Sequence, residues 1–412
     1  MFIWKRSEIF LPFRIENSNR QNFQSYLEVF CEKERQHVNG IRKERNRENM
    51  IAATPIKIGT KTVKNRITFA PTVKFDFTDD TGYATQKHVD HYTERAAGGT
   101  GLICVEATAV VPEGRFGKNH MGLWSDEQID GHRKITEGCH NYGATVIIQL
   151  NHTGYMTPLE CGQPVGPSEI ELDRRGELYT TIALTEEEIH NIQAAYVDSA
   201  VRAQKAGYDG VQLHGCHTYL INQFVSPDYN HRTDAYGGTI QNRARFCCEI
   251  IEAIRKQCGR DFLISVRTTG CDPTIEDAIL IAEEYVKAGC DYLQVSSGVS
   301  PLENCPAYKD PSVNKLQSLG VCFHEHFKGR IPVSCVGGIF TPKQVNDLLE
   351  NDDTDTVDVA RAILADPGFA NAVLNNTRYI RCYKCSACQY GPMMKHRCPA
   401  ETMRRIQEKK KV

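Results

Sequence analysis

The chain has 412 residues, with 49 Lys+Arg against 51 Asp+Glu and a formal charge of −2. Hydrophobic residues make up 41% and charged residues 24%, the proportions of an ordinary globular protein. The near-neutral balance, with a pI of about 6.7, argues against a dedicated nucleic-acid binder, and no run approaches the ~18 consecutive apolar residues of a membrane span.

The N-terminus, MFIWKRSEIF, lacks the continuous apolar core and small-residue cleavage site of a secretory signal. Cysteine is over-represented at 17, an odd number that a fully paired disulfide set cannot use. Together these predict a reduced, cytoplasmic protein. Residues 1–51 read as a solvated or disordered extension, with a helix over Phe23–Glu34 where Phe23, Leu27 and Phe30 share a face.

From Ala52 short β-branched runs alternate with amphipathic stretches, separated by Gly and Pro. Eight strands are predicted: Arg66–Pro71, Gly101–Ala107, Thr145–Leu150, Gly210–His214, Phe262–Arg267, Tyr292–Ser296, Pro332–Val336 and Thr356–Ala360. Most run apolar without alternation, as fully buried parallel strands do. Between them, Ser125-Asp-Glu-Gln128 and Thr185-Glu-Glu-Glu188 read as capping boxes, and Asn242–Cys258 and Thr274–Ala288 carry helical periodicity. Eight such units predict an α/β fold, a (β/α)8 TIM barrel over residues 52–376. The competing doubly wound fold would place GxGxxG after its first strand, whereas Ala97-Gly-Gly-Thr-Gly101 precedes a strand. Residues 377–412 form a short tail with the spacing Cys382-x2-Cys385-x2-Cys388-x9-Cys398.

In such a barrel the working residues sit at the C-terminal ends of the strands, with phosphate held after strands 7 and 8. Strand 7 ends in Val336-Gly337-Gly338 and strand 8 in Val359-Ala360-Arg361, so a phosphorylated ligand is expected there. Strand 4 ends in His214-Gly-Cys-His217-Thr-Tyr219. Two imidazoles and a phenol suit a carbonyl oxygen that gains negative charge, with Tyr219 as proton donor. A zinc site there has only Cys216 to complete it. Strand 3 ends in Gln149 and strand 5 in Arg267, a fixed charge that needs an anionic partner, such as a reduced flavin ring.

Residues 52–376 resemble the Old Yellow Enzyme family of FMN-dependent ene-reductases, especially its bacterial NADH:flavin oxidoreductases. The resemblance rests on Lys64-Asn-Arg-Ile-Thr-Phe-Ala-Pro71, Val105-Glu-Ala-Thr-Ala-Val, Ile148-Gln-Leu-Asn-His152, the run LHGCHTYLINQFVSP, Asn230-His-Arg-Thr-Asp-Ala-Tyr-Gly-Gly238 and Asn242-Arg-Ala-Arg. It implies that Ala70, Pro71, Thr72, Ala107, Gln149 and Arg267 lie against the flavin, and that Gly337, Gly338, Ala360 and Arg361 hold the FMN phosphate. It further implies that His214 and His217 hold a substrate carbonyl and that Tyr219 protonates the α-carbon. NADH or NADPH would reduce FMN, and a small enone-type substrate would then be reduced at its C=C bond. Two positions depart from the family pattern. Val73 stands where many members have Cys or Thr, and Phe75 where relatives often have Tyr. The charged loop from Leu159 to Thr181 is expected at the mouth.

A non-redox phosphate-binding lyase or aldolase is the alternative, although neither a Schiff-base lysine nor metal carboxylates stand at the predicted strand ends. The four tail cysteines could hold zinc or, as in larger relatives of the dienoyl-CoA reductase type with wider spacing, a [4Fe–4S] cluster. Residues 1–51 carry no visible chemistry, and a homo-oligomer is left open.

Overall fold

A computed structural model describes residues 50–174, 177–298, 313–385, 388 and 398–409. The helix expected over Phe23–Glu34 lies outside them. Eight parallel strands close a barrel: β1 Ile67–Phe69, β2 Leu102–Ala109, β3 Thr145–Asn151, β4 Gly210–Gly215, β5 Leu263–Thr269, β6 Tyr292–Ser296, β7 Val333–Val336 and β8 Thr356–Val359. Each pairs with the next, and β8 returns to β1. These are the eight strands predicted from the apolar runs. Pro71 and Pro332 fall outside the ladders, since proline has no N–H to donate. β2 runs two residues further than expected because its register against β3 shifts between Val105 and Thr108. Glu106 and Ala107 occupy that irregularity, of the kind that re-aims side chains beside functional sites.

The helices are α1 Gln86–Ala97, α2 Ile129–His140, α3 Glu186–Lys205, α4 Leu220–Val225, α5 Ile240–Cys258, α6 Ile275–Ala288, α7 Lys315–Phe327, α8 Pro342–Glu350, α9 Arg361–Ala365, α10 Phe369–Asn375 and α11 Pro399–Lys409. At the start of α3, Thr185 N–H donates to Glu188 Oε2 at 2.8 Å and Glu188 N–H to Thr185 Oγ1 at 3.2 Å, the reciprocal box read from sequence. The Ser125 box instead closes a single 3-10 turn, Asp126–Gln128, ahead of α2. α5 begins two residues before Asn242 because Thr239 accepts from the Asn242 N–H. The glycines at 98–101 make the turn from α1 into β2. A Cβ on Gly98 would fall 1.8 Å from the Pro367 carbonyl oxygen, so close packing and not nucleotide binding explains that glycine.

A hairpin of Ile56–Ile58 and Lys61–Val63 precedes the barrel. Its Ile56, Ile58 and Val63 pack with Leu102, Cys104, Ile147, Leu263 and Tyr292, near the starts of the strands. The N-terminal face is thus sealed by apolar contact. Above this plug the interior is polar. Gln149 Nε2 donates to Gln212 Oε1 at 2.7 Å, Gln212 donates to Gln294, and Gln294 Nε2 donates to Asp358 Oδ1 at 2.9 Å. Buried amides are tolerated because each satisfies the next. The Leu159–Thr181 loop, between β3 and α3, folds into an antiparallel hairpin of Glu171–Arg174 and Glu177–Thr180. Among the described residues, no helix is long and apolar enough to cross a membrane.

Ile58 is fully buried in the plug. Ile58→Ala should destabilise the protein by about 2–4 kcal/mol, read as a lowered thermal midpoint, because the barrel floor cannot collapse around the lost atoms.

Candidate functional site

The parallel closure brings the expected residues to one rim. Gln149 lies in β3, which runs two residues past it to Asn151, His214 lies in β4, Arg267 in β5, and Ala107 in β2. In the ladders His214 stands opposite Arg267, and Arg267 opposite Gln294. Ala70, Pro71 and Thr72 follow β1 and are buried. Gly337 and Gly338 follow β7 with φ of +117° and +64°, conformations that favour glycine. Ala360 and Arg361 follow β8, and the exposed Arg361 guanidinium lies 4.6 Å from the Phe340 ring centre.

After β4 the chain makes an unusual turn. His217 and Thr218 are consecutive non-glycine residues in the left-handed region, with φ of 60° and 65°. Such a pair is costly, Thr218 especially, being β-branched. It is held from several sides. His217 N–H donates to Ser297 O at 3.2 Å, Thr218 N–H to Asn222 Oδ1 at 2.9 Å, and Gln223 Nε2 to Thr218 O at 2.5 Å. Asn222 is itself fixed by donating to Asp272 Oδ2 at 2.6 Å. The turn swings His217 back, so that its Nδ1 lies 3.1 Å from His214 Nε2 and its Nε2 2.8 Å from Ser296 Oγ. The Tyr219 ring centre is 4.7 Å from that of His214 and 4.8 Å from that of Phe116.

Burial dominates the electrostatics. It holds His217 down to about 3, with Arg267 adding to the effect. It holds His214 well below the usual imidazole value, with His217, Arg267 and His120 adding to it. Both imidazoles are therefore neutral and can each give one N–H without carrying charge. Burial pushes the Tyr219 phenol up, with Cys216 adding and Arg267 opposing, so the hydroxyl keeps its proton. His214, Cys216 and His217 also bring ligand atoms within 4.8 Å of one another, the one such trio among the described residues. Burial holds the Cys216 thiol up at about 12, whereas a zinc ligand must be a thiolate.

Buried polar atoms at this rim without a hydrogen-bond partner include Arg267 Nε, Thr72 Oγ1 and His214 Nδ1. A native fold rarely leaves such atoms unmatched without a ligand to match them. A flavin ring, with acceptor atoms and an anionic edge when reduced, fits that donor set. The glycines after β7 and Arg361 after β8 fit a phosphate at the other end.

Sequence reasoning missed Ser296, Phe116, His120 and Asn222. Asn222 carried a signal, a polar residue inside the fully buried helix α4. Phe116 and His120 reach the rim from the segment after β2, which has no periodicity to betray them.

The four tail thiols line one small cavity with Arg361, Leu364, Tyr383, Pro399 and Ala400. Lys384 adopts φ 55° and its N–H approaches Cys382 Sγ at 3.4 Å. Burial and then the neighbouring Cys382 raise the Cys388 thiol, against the pull of Arg361, and Cys398 and Cys385 add to the rise.

Residues 53–378 match the profile of the NADH:flavin oxidoreductase / NADH oxidase family. An NADPH dehydrogenase of Halalkalibacterium halodurans is 38% identical over 314 residues, covering 74% of this chain and 88% of that protein. Among solved structures, a 2-naphthoyl-CoA reductase in complex with 2-naphthoyl-CoA aligns with a TM-score of 0.75 at 26% identity, covering 83% of this chain. The present chain spans only 54% of that larger one. The Old Yellow Enzyme homologue of Zymomonas mobilis aligns with a TM-score of 0.68 at 25% identity, covering 80% and 94% of the two chains.

If both imidazoles are held neutral, the ring resonances of His214 and His217 should not titrate between about pH 5 and pH 8. NMR of the histidine rings checks this, and a titration midpoint near 6.5 for either would contradict it.

Proposed function

The chain belongs to the NADH:flavin oxidoreductase / NADH oxidase family, and from that premise we propose that it uses FMN and NAD(P)H to reduce the C=C bond of α,β-unsaturated carbonyl compounds. The observation that carries this reading is the pairing, on one rim, of two neutral imidazoles and a protonated phenol with the orphaned Arg267 Nε. FMN, when bound, supplies the two-electron relay between the nicotinamide and the alkene.

The chain's own residues do the rest. Thr72, Gln149 and Arg267 would hold the ring, with Ala70, Pro71 and Ala107 small enough for close approach. Gly337, Gly338, Ala360 and Arg361 would hold the phosphate. His214 and His217 give N–H bonds to the substrate carbonyl oxygen. A Ser296 hydroxyl that donates to His217 Nε2 keeps the His217 proton on Nδ1, which faces His214 Nε2 until a carbonyl oxygen takes that place. Tyr219 gives its proton to the α-carbon. Val73 and Phe75 supply no side-chain hydroxyl or thiol to the cofactor and substrate, so recognition there rests on shape. A lyase or aldolase would want a strand-end lysine, and no barrel strand ends in one.

The purified protein should be yellow and bleach anaerobically with NADH or NADPH. Tyr219→Phe should slow enone reduction about a hundredfold while flavin reduction by NAD(P)H is retained, as stopped-flow absorbance would read. His214→Ala should weaken phenol binding about tenfold. A colourless protein that takes up no FMN would overturn the proposal.

A second reading concerns the tail, where Cys382, Cys385, Cys388 and Cys398 converge on one cavity. Four thiols on one cavity can hold either zinc or an iron–sulfur cluster. Anaerobic purification should give a stoichiometric metal, either iron with acid-labile sulfide or zinc, that is lost in Cys385→Ser. Zinc alone would decide against the cluster.

A further inference from the structure

Glu106 is buried at 1% exposure, inside the β2 irregularity and one residue before Ala107. Nothing in the proposed chemistry uses it. Its Oε2 accepts the Lys74 N–H at 2.6 Å. Its Oε1 accepts the Tyr92 hydroxyl at 3.2 Å, and the same hydroxyl accepts the Glu106 N–H at 2.9 Å, which the register shift frees from the ladder. His88 Nε2 stands 3.6 Å from Oε1. Since His88 Nδ1 accepts the Thr85 N–H at 3.0 Å, the His88 proton is on Nε2 and faces the carboxyl. Glu106 is therefore held by two hydrogen bonds, one from the loop after β1 and one from α1, with the unpartnered His88 Nε2 just beyond bonding distance. The charged and titratable groups around it include Lys74, Asp76, Lys87, His88, His91, Tyr92, Arg95 and Tyr208. Burial raises its carboxyl to about 7, while the bonds from Lys74 and Tyr92 pull the other way.

Lys74 belongs to the loop that runs from Ala70 to Phe75. One end of that loop holds Thr72 and its unpartnered hydroxyl. At the other, Phe75 packs edge-on against Phe116 at 6.2 Å, and Phe116 against Tyr219 at 4.8 Å. Within the loop, the Lys74 N–H is thus tied to a side chain that cannot move, because β2 and α1 fix it from both sides.

We propose that Glu106 is a positioning residue that sets the 70–75 loop, and through it Thr72 on the cofactor side and Phe75 on the substrate side. The proposal rests on the flavin reading for its consequence but not for its first readout. A Gln in its place keeps one acceptor, which can still take the Lys74 N–H, but turns its NH2 toward the Tyr92 hydroxyl, which then loses its acceptor, whereas an Ala removes both bonds.

The test compares wild type, Glu106→Gln and Glu106→Ala as full-length protein. Hydrogen exchange at the Lys74 amide should be at least about tenfold faster in Glu106→Ala and less affected in Glu106→Gln, with strand amides unchanged. The apoprotein should bind FMN about tenfold more weakly by flavin fluorescence. Faster exchange with unaltered FMN affinity would reduce Glu106 to a structural strut and overturn the proposal, as would unaltered exchange. If neither variant folds, wild type still decides. A Lys74 amide that exchanges as fast as exposed loop amides refutes the anchor, and slow exchange supports it. A wild type that binds no FMN but protects Lys74 would sink the flavin reading and spare the anchor.

Discussion

Everything chemical in this molecule depends on parallel closure. Eight strands running the same way deliver the C-terminal end of each to one rim, so residues far apart in sequence, Thr72, Gln149, His214 and Arg267 among them, become neighbours. The apolar plug under the barrel makes that arrangement stable without asking anything of the rim. Ile56, Ile58 and Val63 bury their side chains at the opposite end, and the upper interior is free to be polar.

That freedom has a cost, met locally. The left-handed pair His217–Thr218 is uphill by about 1 kcal/mol or more per residue. It persists because Asn222, Gln223 and Ser297 take up its backbone groups. The amide chain from Gln149 to Asp358 works in the same way, since removing any one member would strand its neighbour without a partner. The rim is thus rigid where it presents neutral donors, and its unmatched atoms, Arg267 Nε, Thr72 Oγ1 and His214 Nδ1 among them, point to what is expected to bind.

Much of this was legible in the chain itself. Buried parallel strands read as uninterrupted apolar runs, so all eight were visible, with ends misjudged by a residue or two where proline or a register shift intervened. Histidines and a tyrosine at a strand end, and glycines and arginine at two others, stand out because the barrel leaves little other reason for them there. What could not be read depends on distant segments meeting. Ser296 is one small polar residue at the end of an apolar strand. Phe116 and His120 sit in a segment without periodicity. Glu106 does not stand out within Val105-Glu-Ala-Thr-Ala-Val, since its significance comes from Lys74 and Tyr92 approaching it from elsewhere. The hairpin within 159–181 looked like a charged loop because its short strands alternate too briefly to register.

The sealed floor has a kinetic consequence. Among the described residues, packed amides above an apolar plug close the floor and leave the rim as the doorway. Any two reactants that need the same imidazoles and the same ring face must use that doorway in turn. One has to depart before the other arrives, and residence time of the first becomes a brake on the second.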